Sequence, residues 1–95
     1  MLLDILEIGT PVINTTEEWC SGYGDIYIYN HGGRKNINGI IIRNDRTTSC
    51  RKVTEPLYLI EWFDTRISSK IRYQFDIDYA KMRDDKINQI IDVII

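Results

Sequence analysis

The run Leu57-Tyr58-Leu59-Ile60-Glu61-Trp62-Phe63 constrains this chain more than any other stretch. In an extended strand, Tyr58, Ile60 and Trp62 share one face, while Leu57, Leu59, Glu61 and Phe63 share the other. Both faces are mostly apolar, so the strand needs cover on both sides and belongs in the middle of a sheet. The rest of the chain leans the same way. Isoleucine occurs 18 times, against five Leu, three Val and one Ala. Isoleucine is stiff at χ1 and fits a pleated sheet, whereas Ala and Leu are the strong helix formers that are scarce here. A low-GC genome yields the same excess of Ile, Asn, Asp and Tyr over Ala, so composition alone does not carry the β assignment.

Ninety-five residues suffice for one domain and one core. With 43% apolar and 27% charged residues, the chain is neither disordered nor a disulfide scaffold. No apolar run approaches the roughly 18–20 residues that cross a bilayer, so no membrane partner is expected. The opening Met1-Leu2-Leu3-Asp4 has no basic region and carries an early acid, unlike a secretory signal. A cytoplasmic protein is expected. Cys20 and Cys50 lie thirty positions apart, with no Cys/His spacing of the zinc-binding kind, and reduced, partly buried thiols are the expectation.

Several further strands are legible. Pro11 suits a strand's first residue or an edge, and Val12 and Ile13 read as a short strand. Asn14 to Gly24 reads as a loop. Asp25-Ile26-Tyr27-Ile28-Tyr29 alternates cleanly, with the isoleucines on one face and the tyrosines on the other. Asn30-His31-Gly32-Gly33 and Asn38-Gly39 are turn signals. Ile40 to Arg43 reads as a strand stopped by Asn44-Asp45, and residues 44–56 as a basic connection. Asp64 to Ser69 reads as a loop, and Ile71, Tyr73 and Phe75 as alternate positions of a half-buried strand. Ile77, Tyr79, Ala80 and Met82 suit a short helical turn. Ile87, Ile90, Ile91 and Ile94 then follow helical spacing, with Asp84 as N-cap of a helix over Asp85 to Asp92. Because Ile and Val are mediocre helix formers, a final strand over 90–95 is the alternative.

The order of these signals is more specific than their number. Ile8-Gly9-Thr10-Pro11-Val12 is followed by Gly39-Ile40-Ile41-Ile42, by Tyr58-Leu59-Ile60-Glu61-Trp62-Phe63-Asp64, and by Tyr73-Gln74-Phe75 before the turn Asp76–Met82. This resembles the SH3-like barrels of the KOW and Tudor type. The resemblance covers about half the chain. It implies a mainly β fold: a small barrel of about five strands, with residues 14–38 inserted in the first loop as a loop or hairpin and a helix added at the C-terminal end. Many such barrels are small accessory proteins of tailed phages, and the low-GC composition agrees. The fold implied in this way hosts many functions and assigns none.

No catalytic constellation accompanies it. His31 is the one histidine, and Cys20 with His31 is the only Cys/His pairing available; no family signature surrounds Cys20, and a turn histidine with a packed thiol is the simpler reading. Asp76, Asp78, Asp84 and Asp85 lack metal-ligand spacing and suit capping and solvation. Gly22-Tyr23-Gly24 and Gly32-Gly33 lack the phosphate-loop pattern. Neither a cofactor, a metal nor an enzymatic activity is expected.

What remains is a binding surface. Residues 1–33 carry Asp4, Glu7, Glu17, Glu18 and Asp25 without a Lys or Arg, a net of −5. Residues 34–52 carry Arg34, Lys35, Arg43, Arg46, Arg51 and Lys52 against Asp45, a net of +5. Arginine forks and aromatic faces together are the composition of protein-binding hot spots. Trp19, Tyr23, Tyr27, Tyr29, Arg34, Arg43, Arg46 and Arg51 are therefore the candidate partner-binding residues, with Trp19 as an exposed anchor and Trp62 in the core. Solvated arginines beside tyrosines that cap a sheet face are the competing reading. The leading expectation is a non-enzymatic protein that docks onto a host or defence protein, as a phage-encoded inhibitor would. A nucleic-acid-binding module and a protein that sequesters a small anionic nucleotide are the alternatives. The acidic overall pI of about 5.3 weighs against bulk coating of nucleic acid.

Overall fold

The computed structural model describes residues 5–21, 25–28, 34–49 and 53–84. Its strands are β1 (Pro11–Asn14), β2 (Glu18–Cys20), β3 (Ile26–Ile28), β4 (Asn38–Thr48), β5 (Glu55–Trp62), β6 (Ile67–Lys70) and β7 (Phe75–Ile77). Five of them form one antiparallel sheet in the order β6-β5-β4-β1-β7, and β2 pairs with β3 as a separate hairpin. The protein is mainly β, as its isoleucine-rich stretches lead one to expect. Residues 14–38 do carry a hairpin, inserted between β1 and β4.

Strand β5 is an interior strand of the sheet, but only one of its faces is covered along its length: Leu59 is half-buried and Glu61 and Phe63 are exposed on the other. Tyr58, Ile60 and Trp62 are buried together with Val12, Ile41 and Phe75, and Leu6 and Ile37 pack against this cluster. Tyr58 meets Phe75 edge-on at 5.6 Å, and its hydroxyl accepts the Leu6 amide at 3.1 Å. The Trp62 indole donates to Ser68 Oγ at 2.7 Å. The polar tips of these two core aromatics thus find partners, which is the condition for placing them in a core. On the opposite face, Leu57 joins Cys20 and Ile71 in a second buried cluster against which Ile26 packs.

Strand β4 is longer than the sequence indicates. Asn44 and Asp45 do not end it, because two register shifts, between Ile41 and Arg43 and between Arg43 and Arg46, absorb them as bulges. Its first part pairs with both β1 and β5, and its second part with β5 alone. Asn38-Gly39 is not a turn either. It opens β4, while the turn before it falls at Lys35-Asn36, where Asn36 takes a φ of 65°.

Three other readings are corrected. Ile67 to Lys70 is strand rather than loop, since Ser68 and Lys70 point inward and are satisfied there. Arg72–Gln74 is a 3-10 turn, so Tyr73 is exposed while Gln74 is buried, and alternation does not run through Ile71, Tyr73 and Phe75. Asp84 is not an N-cap: residues 79–84 are already helical. Asp78 caps them, its Oδ1 accepting the Lys81 amide at 3.1 Å. The proposed helix or strand beyond residue 84 lies outside the described residues.

The turn between β5 and β6 holds Thr65 at a φ of 71°, a region that a β-branched residue adopts with strain. Thr65→Gly is expected to stabilise the protein by about 1 kcal/mol, read as a rise in the urea midpoint at unchanged slope.

Candidate docking surface

The hairpin carries its two faces differently. Registered pairs are Glu18 with Ile28, Trp19 with Tyr27, and Cys20 with Ile26. Cys20 and Ile26 turn toward Leu57 and Ile71. Trp19 and Tyr27 therefore lie on the other face, where their rings stack at 4.6 Å and 20°. Such cross-strand aromatic pairs stabilise a short hairpin by about 0.2–1 kcal/mol.

Polar side chains fasten this hairpin to the sheet. Lys70 is fully buried, and its ammonium donates to the Thr16 carbonyl at 2.8 Å, to Thr16 Oγ1 and to the Glu18 carbonyl. Burial pushes the amine down to about 8, although Glu18 and Cys20 nearby partly oppose the shift. The Glu18 carboxylate accepts Tyr73 Oη at 2.7 Å and Gln74 Nε2 at 3.5 Å. Gln74 Oε1 in turn accepts the Ile71 amide at 3.0 Å and lies 3.5 Å from Cys20 Sγ. The hairpin is thus held in a fixed place relative to β5 and β6.

That placement puts Trp19 beside Leu59, Ile67, Ser68 and Ser69, which together line a shallow cleft. A second cleft adjoins it, lined by Arg43, Arg46, Leu57, Leu59 and Ser69. The two share Leu59 and Ser69, so an aromatic wall and a basic rim border one continuous surface. Arg43 is largely committed to Asp45, with Nη2 3.0 Å and Nε 3.2 Å from the two carboxylate oxygens. The pairing raises the guanidinium pKa and lowers that of the carboxyl. Arg46 is exposed and has no ion pair among the described residues.

Of the residues chosen from sequence, the structure stacks Trp19 on Tyr27 and places Arg43 and Arg46 in the cleft that shares Leu59 and Ser69 with that of Trp19. Trp19 is half-buried rather than an exposed anchor, because Tyr27 covers one ring face. Its Nε1–H is buried and has no hydrogen-bond partner among the described residues. Arg34 does not belong to this surface; it lines a separate cleft with Phe63. Tyr23, Tyr29 and Arg51 lie outside the described residues, as do His31 and Cys50. Sequence reasoning missed Ile67 and Ser69, because the polar Ser68 and Lys70 take the inward positions and no apolar alternation marks the strand. Cys20 is buried in the hairpin seam rather than in a cleft. Among the described residues, no group of three or more His, Cys, Asp or Glu is placed to hold a metal ion, and no helix is long and apolar enough to cross a membrane.

Compared with models of known families, with curated proteins and with solved structures, the chain matches none.

Proposed function

We propose that this chain is a non-enzymatic binding module, an SH3-like barrel in which the β2–β3 hairpin occupies the first long loop. The strand order β6-β5-β4-β1-β7, the 3-10 turn before the last strand and the doubly bulged β4 support that reading of the fold. The module docks onto a partner protein through the surface from Trp19 across Leu59 and Ile67 to Arg46. The observation that carries this is Trp19 itself. An indole whose buried N–H lacks a partner costs about 1–3 kcal/mol of stability relative to a satisfied one. Its position in one cleft with the exposed Ile67 fits a role outside folding.

The chemistry of the surface specifies the partner's segment. It bears an aliphatic or aromatic side chain for the floor of Leu59 and Ile67, and a carboxylate for Arg46. A host protein, or a defence protein of the host, is the partner class that a phage-borne module of this kind engages. Tagged wild-type protein is expected to retain such a partner from host lysate. Trp19→Ala, removing a central aromatic, should weaken binding by about thirtyfold or more, and Arg46→Glu should abolish it by charge reversal. Arg34→Glu, in the separate cleft, should leave it unchanged. Identical captured proteins for all three variants would remove this surface from consideration.

A further inference from the structure

A third cleft lies apart from the docking surface and shares no lining residue with it. Arg34, Lys35, Asn36, Ile37, Asn38 and Phe63 line it. Its loop is exposed yet firmly held. The buried Asn14 binds it three times: the Asn14 amide donates to the Ile37 carbonyl at 2.9 Å, the Asn36 amide donates to the Asn14 carbonyl at 2.7 Å, and Asn14 Nδ2 donates to the Arg34 carbonyl at 2.9 Å. Phe63 stands opposite, its amide tied to the Asn38 carbonyl at 2.9 Å and its side chain 60% exposed. A large aromatic ring is thus presented to solvent from a fixed backbone beside two cations.

The neighbouring acids do not neutralise those cations. Asp64 accepts the Arg66 amide at 3.2 Å and lies 3.9 Å from the Arg66 guanidinium. Asp78 accepts Asn38 Nδ2 at 2.7 Å and the Lys81 amide at 3.1 Å. Arg34 and Lys35 are exposed, and neither forms an ion pair with a described residue. The cleft therefore offers a stacking face, two positive charges with no ion pair among the described residues, and the exposed amide of Asn36, which both donates and accepts. A ligand that uses all three is planar and aromatic, carries hydrogen-bonding edges, and bears a phosphate.

We propose that this cleft is a binding site for a nucleoside phosphate, with the base stacked on Phe63, the phosphate held by Arg34 and Lys35, and Asn36 bonded to the base edge. The same chemistry is presented by a free nucleotide and by one unit of a single strand. The proposal is independent of the protein-docking reading, and Trp19→Ala should leave it intact.

The test titrates the full chain with adenosine monophosphate, uridine monophosphate, a short single-stranded oligothymidylate and inorganic phosphate, followed by calorimetry at low and moderate salt. At least one nucleotide probe is expected to bind at least about tenfold more tightly than phosphate, because stacking adds to charge. Phe63→Ala should weaken that binding by about tenfold, and Phe63→Trp should restore it. Arg34→Ala with Lys35→Ala should weaken it further and flatten its salt dependence. Circular dichroism checks that each variant remains folded. Equal affinity for mononucleotide and oligonucleotide identifies a free nucleotide as the source, and a much tighter oligonucleotide identifies a strand. No binding by any nucleotide, phosphate binding as well as the nucleotides, or binding indifferent to Phe63→Ala would each overturn the proposal.

Discussion

Gly39→Ala should be severely destabilising, and the more damaging of the two described glycine substitutions. A Cβ at Gly39 would stand 2.5 Å from a Trp62 ring carbon, 2.9 Å from the Glu61 carbonyl oxygen and 2.9 Å from Ile60 Cγ2. Two of these neighbours are buried core side chains and the third is backbone in the central strand, so none can yield cheaply. Overpacking of this kind costs about 3 kcal/mol. In a domain of this size that is about 15 °C in melting temperature or more. Gly9 provides the contrast. It has a φ of 93° but nothing within 4 Å of its added Cβ, so Gly9→Ala should cost only about 1 kcal/mol, from backbone strain alone. Thermal denaturation of the two variants separates the causes. Equal losses would show that the approach of Trp62 to Gly39 does not limit stability.

The second large effect is in pH. Lys70 ordinarily titrates at 10.5 and is depressed to about 8 by burial in the hairpin seam. Between those values the unfolded chain still holds a proton that the folded chain has released, so stability rises with pH across that window. Below about 8 both states are protonated and the folded state bears the whole cost of the buried ammonium. After discounting for solvent screening, the rise amounts to about 2 kcal/mol. Glu18 and Cys20 face the amine, and Tyr73 bonds Glu18, so the amine does not stand alone in its surroundings. The comparison with Lys70→Met removes much of that shared background. Urea midpoints from pH 7 to 10.5 should climb more steeply for the native chain than for the variant, and parallel curves would contradict the burial of a strained cation.

These two residues also show where reading the sequence stops. Leu57 to Phe63 announces a central strand because the evidence lies within seven consecutive side chains. Gly39 does not announce its role. Asn-Gly serves a tight turn and a close approach equally well, and only Trp62, across the sheet, decides between them. Ile67-Ser68-Ser69-Lys70 looks like loop because two polar residues occupy inward positions. Their partners, the Trp62 indole and the carbonyls of Thr16 and Glu18, come from tertiary structure. The surface was legible in part for the same reason. Trp19, Tyr27 and Arg46 stood out by type, whereas Leu59, Ile67 and Phe63 became neighbours of those groups, or of Arg34, through pairing alone.

Strand β1 has a consequence for synthesis on the ribosome. It sits between β4 and β7, with Val12 paired to Gly39 on one side and Ile77 on the other. Until residue 77 has left the exit tunnel, a nascent chain must carry β1 with one bare edge. Its first four sheet strands can meet earlier, but the seam that brings Phe75 over Tyr58 waits for the last strand. Folding of this molecule is therefore committed late, and a released chain ending shortly before residue 75 would leave an adhesive edge open to other chains.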